Sequence, residues 1–252
     1  MLRSFADGRL FGSVTGSVTG TGGLRVLALH GWARTHRDFD AVVAPAGQAP
    51  LPAIALDLPG FGASPPPPEA WGAEAYADAL GPVLAEMASP VVVLGHSFGG
   101  RVALHLAVQR PDAVRALVLT AVPLLHPLGR RGRVAPAYRM VRRLHRMKVV
   151  SDRALEAARQ RHGSDDYKAA QGIMRQVHVR SVNETYGAQL DSVTCPVHLV
   201  WGADDTATPL EVAERALARL AQGDLQVFPG IGHLTPSLIP DALRSTVASC
   251  LS

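Results

Sequence analysis

Apolar residues along this chain fall into short unbroken runs separated by longer stretches of helical period. The runs are Arg25–Leu29, Ala53–Leu56, Val91–Leu94, Val114–Thr120, Val197–Trp201 and Leu225–Phe228. A continuous aliphatic run of this length predicts a strand covered on both faces, as in a parallel sheet. Between runs the period changes. Val102, Ala103, Leu106 and Ala107 recur at helical spacing until Pro111 stops the pattern. Further helices are expected around Ala73–Met87, near Leu210–Leu220 and across Asp241–Leu251, while Pro65–Pro68 reads as a stiff extended spacer. Strands alternating with helices at this spacing predict an α/β protein: a mostly parallel central sheet with helices on both faces.

The alternation stops between Ala121 and Thr194. A parallel crossover needs only a dozen or so residues, so this stretch predicts a helical insertion at 122–194, with the core made of 1–121 and 195–252. Near the N-terminus, GSVT occurs at Gly12–Thr15 and again at Gly16–Thr19, followed by Gly20 to Gly23. Period-2 patterning with frequent glycine suggests an edge hairpin and a flexible turn there, with no function assigned.

Composition narrows the class. With 47% apolar and 18% charged residues in 252, the chain is globular, and no segment reaches the length of a membrane span. A soluble cytoplasmic protein is the expectation. Cys195 and Cys250 have no metal spacing, so neither a disulfide framework nor a zinc site is expected. The net charge of +4 is concentrated in the insertion, where Pro123–Arg180 holds fourteen basic residues, Arg130, Arg131 and Arg133 among them, against four acidic ones. Arg139, Arg142, Arg143 and Arg146 share one helix face, with Ala137, Met140, Val141, Leu144 and Met147 opposite. Such a face is either simply solvated over an apolar underside or a docking strip for an anionic substrate or partner, such as a carboxylate, a coenzyme A thioester or an acidic carrier protein. A nucleic-acid role would rest on this charge alone and is not expected.

Candidate chemistry centres on Gly95-His96-Ser97-Phe98-Gly99, at the change from strand to helix. A turn so tight pushes the serine to the top of the sheet, beside helix N-terminal amides that stabilise negative charge. A neutral hydroxyl is a weak nucleophile and needs a base, which in turn needs an orienting group. In open parallel sheets such groups gather beyond the strands' carboxyl ends. His233 follows a late strand within Pro229-Gly230-Ile231-Gly232-His233, whereas His30 and His96 adjoin the turns and suit supporting roles. The run Val197–Trp201 is followed by Gly202-Ala203-Asp204-Asp205, and spacing leaves either aspartate open as the orienting acid. Acyl transfer also needs two N–H donors for the oxyanion, and the backbone amides of Phe98 and Trp32 are the candidates.

In this order, His30-Gly31-Trp32, Asp57-Leu58-Pro59-Gly60-Phe61-Gly62, the Ser97 turn, Trp201-Gly202-x-x-Asp205 and Gly232-His233, the chain resembles the α/β-hydrolase fold family over essentially its whole length. The resemblance implies a triad of Ser97, Asp205 and His233, and prefers Asp205 because the family acid falls three residues after the glycine. It implies a helical cap, no metal or organic cofactor, and hydrolysis of a carboxylic ester or related acyl bond of a small molecule. Family members often carry His where this chain has Phe61, a difference expected to tune the pocket. Serine at 97 disfavours the dehalogenase and epoxide-hydrolase branches, which place aspartate there. The same triad also serves C–C bond hydrolases and lyases acting on anionic metabolites, perhydrolases and haloperoxidases, and some members act as small-molecule receptors or scaffolds.

Overall fold

The computed structural model of the chain describes residues 2–16, 23–128, 136–162 and 165–252. Its strands are β1 (Leu2–Phe5), β2 (Leu10–Thr15), β3 (Val26–Leu29), β4 (Ala53–Asp57), β5 (Val91–His96), β6 (Val114–Thr120), β7 (Val197–Gly202) and β8 (Gly223–Phe228). They form one sheet in the order β1-β2-β4-β3-β5-β6-β7-β8. The β1–β2 and β2–β4 pairs are antiparallel and the other five pairs parallel, so the expected α/β architecture is the observed one.

Side-chain alternation explains why the central strands are apolar throughout. Val91 and Val93 of β5, with Leu27 and Leu29 of β3, face a layer containing α2 (Ala73–Ala79), α4 (Phe98–Gln109) and α10 (Leu210–Leu217). Val92 and Leu94, with Val26 and Ala28, face the opposite layer of α1 (Asp40–Val43) and α12 (Pro240–Ser249). Each strand thus serves two cores at once, which a sheet of polar-apolar alternation could not do.

Several expected elements differ in extent. The helix expected over Ala73–Met87 is two pieces, α2 and α3 (Gly81–Ala85), because Pro82 lacks the N–H that a continuous helix would use. The helix before β8 ends at Leu217, and the last helix is preceded by a short α11 (Thr235–Leu238). An N-terminal hairpin is present, but its turn is Ala6–Arg9 and not the glycine stretch. Ala6, Asp7 and Gly8 there all adopt positive φ. The first GSVT copy lies in β2, which is an inner strand because β1 takes the edge; residues 17–19 of the second copy, like Gly20 and Gly22, lie outside the described residues.

Between β6 and β7 the described residues form α5 (Pro136–Arg146), α6 (Asp152–His162), α7 (Asp165–Ala169), α8 (Gly172–Ser181) and α9 (Gly187–Ser192), with no strand among them. Arg139, Arg142, Arg143 and Arg146 are exposed on α5, while Val141 and Leu144 are half-buried. Met140 and Met147 on the apolar side are 56% and 61% exposed, so that side is only partly covered. Arg130, Arg131, Arg133 and the Ala137 side chain lie outside what is described. No described helix is long and apolar enough to cross a membrane.

Candidate active site

β5 ends at His96 and α4 starts at Phe98, which leaves Ser97 alone at the corner with φ 48° and ψ −111°. That region is strained for any residue with a side chain and persists only where the surroundings impose it. Here the surroundings are close. A Cβ on Gly99 would lie 2.0 Å from the Leu29 carbonyl oxygen, and one on Gly95 would lie 2.5 Å from the Gly100 α-carbon. Only glycine at both positions lets the helix leave the sheet so tightly. The Ser97 amide is held in turn by the Thr120 carbonyl at 3.0 Å, from the neighbouring strand β6.

His233 and Asp205 reach the same corner from the carboxyl ends of β8 and β7. His233 Nε2 lies 3.1 Å from Ser97 Oγ, and Nδ1 lies 2.8 Å from Asp205 Oδ2. A carboxylate only accepts, so Nδ1 carries the proton and Nε2 is the free base facing the hydroxyl. Asp205 Oδ1 accepts the backbone N–H groups of Ala207 at 2.8 Å and Thr208 at 2.7 Å. The carboxylate is buried and fully engaged, whereas Asp204 is exposed and outside this line.

Trp32 follows β3 by way of His30-Gly31, and Phe98 opens α4, so both candidate amides also lie at this sheet edge. Neither amide donates to another described residue. The N-terminus of a twelve-residue helix adds positive potential at the same place. The side chains form an aromatic wall: the Trp32 ring is edge-on to Phe61 at 5.0 Å and to Phe98 at 5.6 Å. α8 lies against this wall. His178 packs on Trp32 at 4.8 Å, and Met174 lies so close to Gly60 that a Cβ there would meet its sulfur.

Three other polar residues surround the reacting groups. His30 Nε2 accepts the Leu58 N–H at 3.0 Å, so its Nδ1–H donates to the Gly31 carbonyl at 2.7 Å, and burial depresses its pKa to about 4. His96 is also buried and depressed to about 4, with its Nε2 2.9 Å from the His233 carbonyl oxygen. Asp57 closes β4 and joins the loops on either side through His36 and Ala63. Two further residues tie these segments together without a signal in the local sequence. Arg101 on α4 is buried and donates to the Ser181 carbonyl at 2.6 Å. Thr120 Oγ1 lies 2.7 Å from Thr235 Oγ1. An arginine in a helical pattern reads as solvated and a threonine ending a strand reads as filler, so neither carries a local signal. Among the described residues, no group of three or more His, Cys, Asp or Glu side chains is placed to hold a metal.

The arrangement is a relay that can make an alkoxide-like nucleophile beside two backbone donors. Several known proteins have similar chains. The profile of the alpha/beta hydrolase family matches residues 26–246. A pimeloyl-(acyl-carrier protein) methyl ester esterase from Aromatoleum aromaticum is 31% identical over 236 residues, covering 82% of this chain and 90% of that protein. A 2-hydroxy-6-oxononadienedioate/2-hydroxy-6-oxononatrienedioate hydrolase from Cupriavidus pinatubonensis is 27% identical, covering 85% of this chain and 82% of that one. Two Neisseria meningitidis proteins bearing the same esterase name align more locally, at 43% identity over 97 residues that span only 36% and 30% of their lengths. Among solved structures, an esterase from Thermogutta terrifontis superposes with a TM-score of 0.67 at 22% identity, each chain covered completely. A thioesterase domain from the curacin biosynthetic pathway gives 0.69 at 19% identity, with 98% of each chain covered.

Proposed function

The chain belongs to the alpha/beta hydrolase family, and from that premise we propose that it is a serine hydrolase cleaving a carboxylic ester or related acyl bond through an acyl-enzyme. Ser97 Oγ attacks the acyl carbon while His233 Nε2 takes its proton. Asp205 holds the imidazole in the tautomer that accepts that proton and stabilises the imidazolium that results. In this reading the negative charge developing on the carbonyl oxygen falls between the amides of Trp32 and Phe98, backbone donors that need no side-chain rearrangement to receive it. His233 then protonates the leaving group. Water enters, loses a proton to the same nitrogen, and attacks the acyl carbon to release the acid and regenerate Ser97.

The observation that carries this reading is the unbroken line from Ser97 Oγ through His233 to Asp205, at 3.1 and 2.8 Å. The experiment is a fluorophosphonate probe with mass-spectrometric mapping, run beside turnover of p-nitrophenyl butyrate. Labelling at Ser97, and loss of both labelling and turnover in Ser97→Ala, is the expected result. Full turnover by that variant would end the assignment.

Residues 122–194 act as the cap in this proposal, with α8 bringing Met174 and His178 over the aromatic wall. The substrate is a small ester or thioester with an anionic group, and an acidic carrier protein is the proposed macromolecular partner. Support comes from the carrier-protein ester in the printed name of the 31% relative and from the exposed arginines of α5. The cytoplasm is the proposed compartment, in keeping with free thiols at Cys195 and Cys250. A second reading, hydrolysis of a C–C bond in an anionic metabolite by the same residues, draws on the Cupriavidus relative. A panel of esters, thioesters and vinylogous diketones decides between the two.

A further inference from the structure

We propose that His96 is a positioning residue that holds His233 against Ser97 by bonding the backbone of the base loop. The inference rests on the proposed triad. The His96 side chain is 1% exposed at the end of β5, where the sheet register sets it opposite Thr120. Its Nε2 lies 2.9 Å from the His233 carbonyl oxygen. A carbonyl only accepts, so Nε2 carries the hydrogen and Nδ1 is bare.

That bare nitrogen has no hydrogen-bond partner among the described residues. It faces Gly31: a Cβ added there would lie 2.8 Å from Nδ1 and 3.1 Å from Cε1. One ring therefore fills the space between the oxyanion loop and the base loop, and it grows from the residue next to the nucleophile. Three segments that must stay in register meet on it.

A phenyl ring would fill that volume without burying an unpartnered nitrogen, which costs roughly 1–3 kcal/mol. What the imidazole adds over a hydrocarbon is the single donor aimed at His233. The two imidazoles do not bond each other, their centroids being 5.2 Å apart at 51°, so the hold passes through the backbone. Before His233 the loop is held on the acid-loop side, where the Asp204 N–H donates to the Ile231 carbonyl at 2.9 Å, while a Cβ on Gly230 or Gly232 would find nothing within 4 Å, so the hold on His233 itself falls to His96. Two residues on, Thr235 meets Thr120, whose carbonyl holds the Ser97 amide. The base loop is thus pinned at 233 to the strand that leads into the nucleophile and at 235 to that strand's neighbour β6.

The test compares His96→Phe, His96→Gln and His96→Asn. A glutamine amide reaches the position of Nε2; an asparagine amide reaches only that of Nδ1. The wild type is first labelled with fluorophosphonate to establish Ser97 as the nucleophile, and circular dichroism checks each variant's fold. His96→Phe is expected to lose about 10- to 100-fold in kcat, since a shift of about 1 Å at a reacting group costs on that order. KM stays within about threefold, because ester binding does not involve His96. The labelling rate of Ser97 falls in parallel. His96→Gln recovers most of kcat and His96→Asn does not. A Phe variant with wild-type kcat, or Gln and Asn variants equally impaired, overturns the positioning role and leaves the triad reading intact. Failure of the wild type to label at Ser97 would instead remove the triad. Should His96→Phe not fold, the Gln and Asn pair still decides.

Discussion

His36 meets the buried carboxylate of Asp57 twice: its ring Nδ1 and its own backbone N–H each lie 2.8 Å from the same oxygen. The second oxygen accepts the Ala63 N–H at 2.9 Å. Burial of Asp57 opposes its charge, but the N–H groups of Ala63 and His36 and the His36 ring outweigh it and hold the carboxyl below the usual carboxylate range. The loop after β3, which carries Trp32, is thereby tied to the segment after β4. Asp57→Ala is expected to lower stability by about 3 kcal/mol, because it leaves buried donors without an acceptor. Urea unfolding measures the loss. Since the folded carboxyl is the stronger acid, this contribution is present above its ordinary pKa and disappears as pH falls below it.

Two buried histidines impose a second, separate acid limit. His30 and His96 are both held to about 4 by burial, against 6.5 when exposed. Between those values the unfolded chain binds protons that the native state refuses, so stability falls as pH drops from about 6.5 toward 4. The expected slope is on the order of 1 kcal/mol per pH unit for each histidine. Protonation of His30 would also set an N–H against the Leu58 N–H that its Nε2 now accepts. Urea midpoints at about pH 7.5, 6 and 5 check the trend, and His96→Phe should lower the slope without abolishing it, because burial also depresses His105 and His178. A flat profile over this range would show that neither ring is kept neutral.

The paired aspartates give a test at single-residue resolution. Asp205 is buried, bonded to His233 and to two backbone amides, while its neighbour Asp204 is exposed. Asp205→Asn keeps the shape but offers the imidazole an amide, which favours the wrong tautomer. A drop in kcat on the order of 10⁴ is expected. Asp204→Asn should stay within about twofold, as surface changes away from the reacting groups usually do. Equal effects from the two substitutions would show that the loop and not the carboxylate matters.

The legible parts of this protein are those where chemistry and backbone pattern are local. Val91–His96 and Val26–Leu29 read as buried strands because both of their faces are covered, and Ser97 stands out because glycine is compulsory at 95 and 99. Choosing Asp205 over Asp204 needed the family resemblance, since spacing left both open. What escaped was decided by distant contacts. The break at Leu80 depended on how Pro82 would be accommodated, and the strand Leu2–Phe5 has too few apolar positions to announce itself. Arg101, Thr120 and Thr235 are ordinary residues whose roles arise only when segments 80 or more positions apart are brought together.

The basic face of α5 supports the last prediction. Arg139, Arg142, Arg143 and Arg146 are exposed on a helix whose Met140, and Met147 just past its end, are also largely uncovered. Guanidinium groups beside apolar surface suit a ligand carrying both an anion and a hydrocarbon chain. If this face steers an anionic substrate, kcat/KM for a monomethyl dicarboxylate should fall steeply as salt rises. Exposed charges are screened beyond about 10 Å at 0.1 M salt, so most of the decline belongs between about 20 and 300 mM. The neutral methyl ester of a monocarboxylic acid of equal length should show little change. Arg142→Glu with Arg143→Glu should flatten the first curve and leave the second in place. An equal salt response for the two esters would mean that the arginines are no more than a solvated helix face.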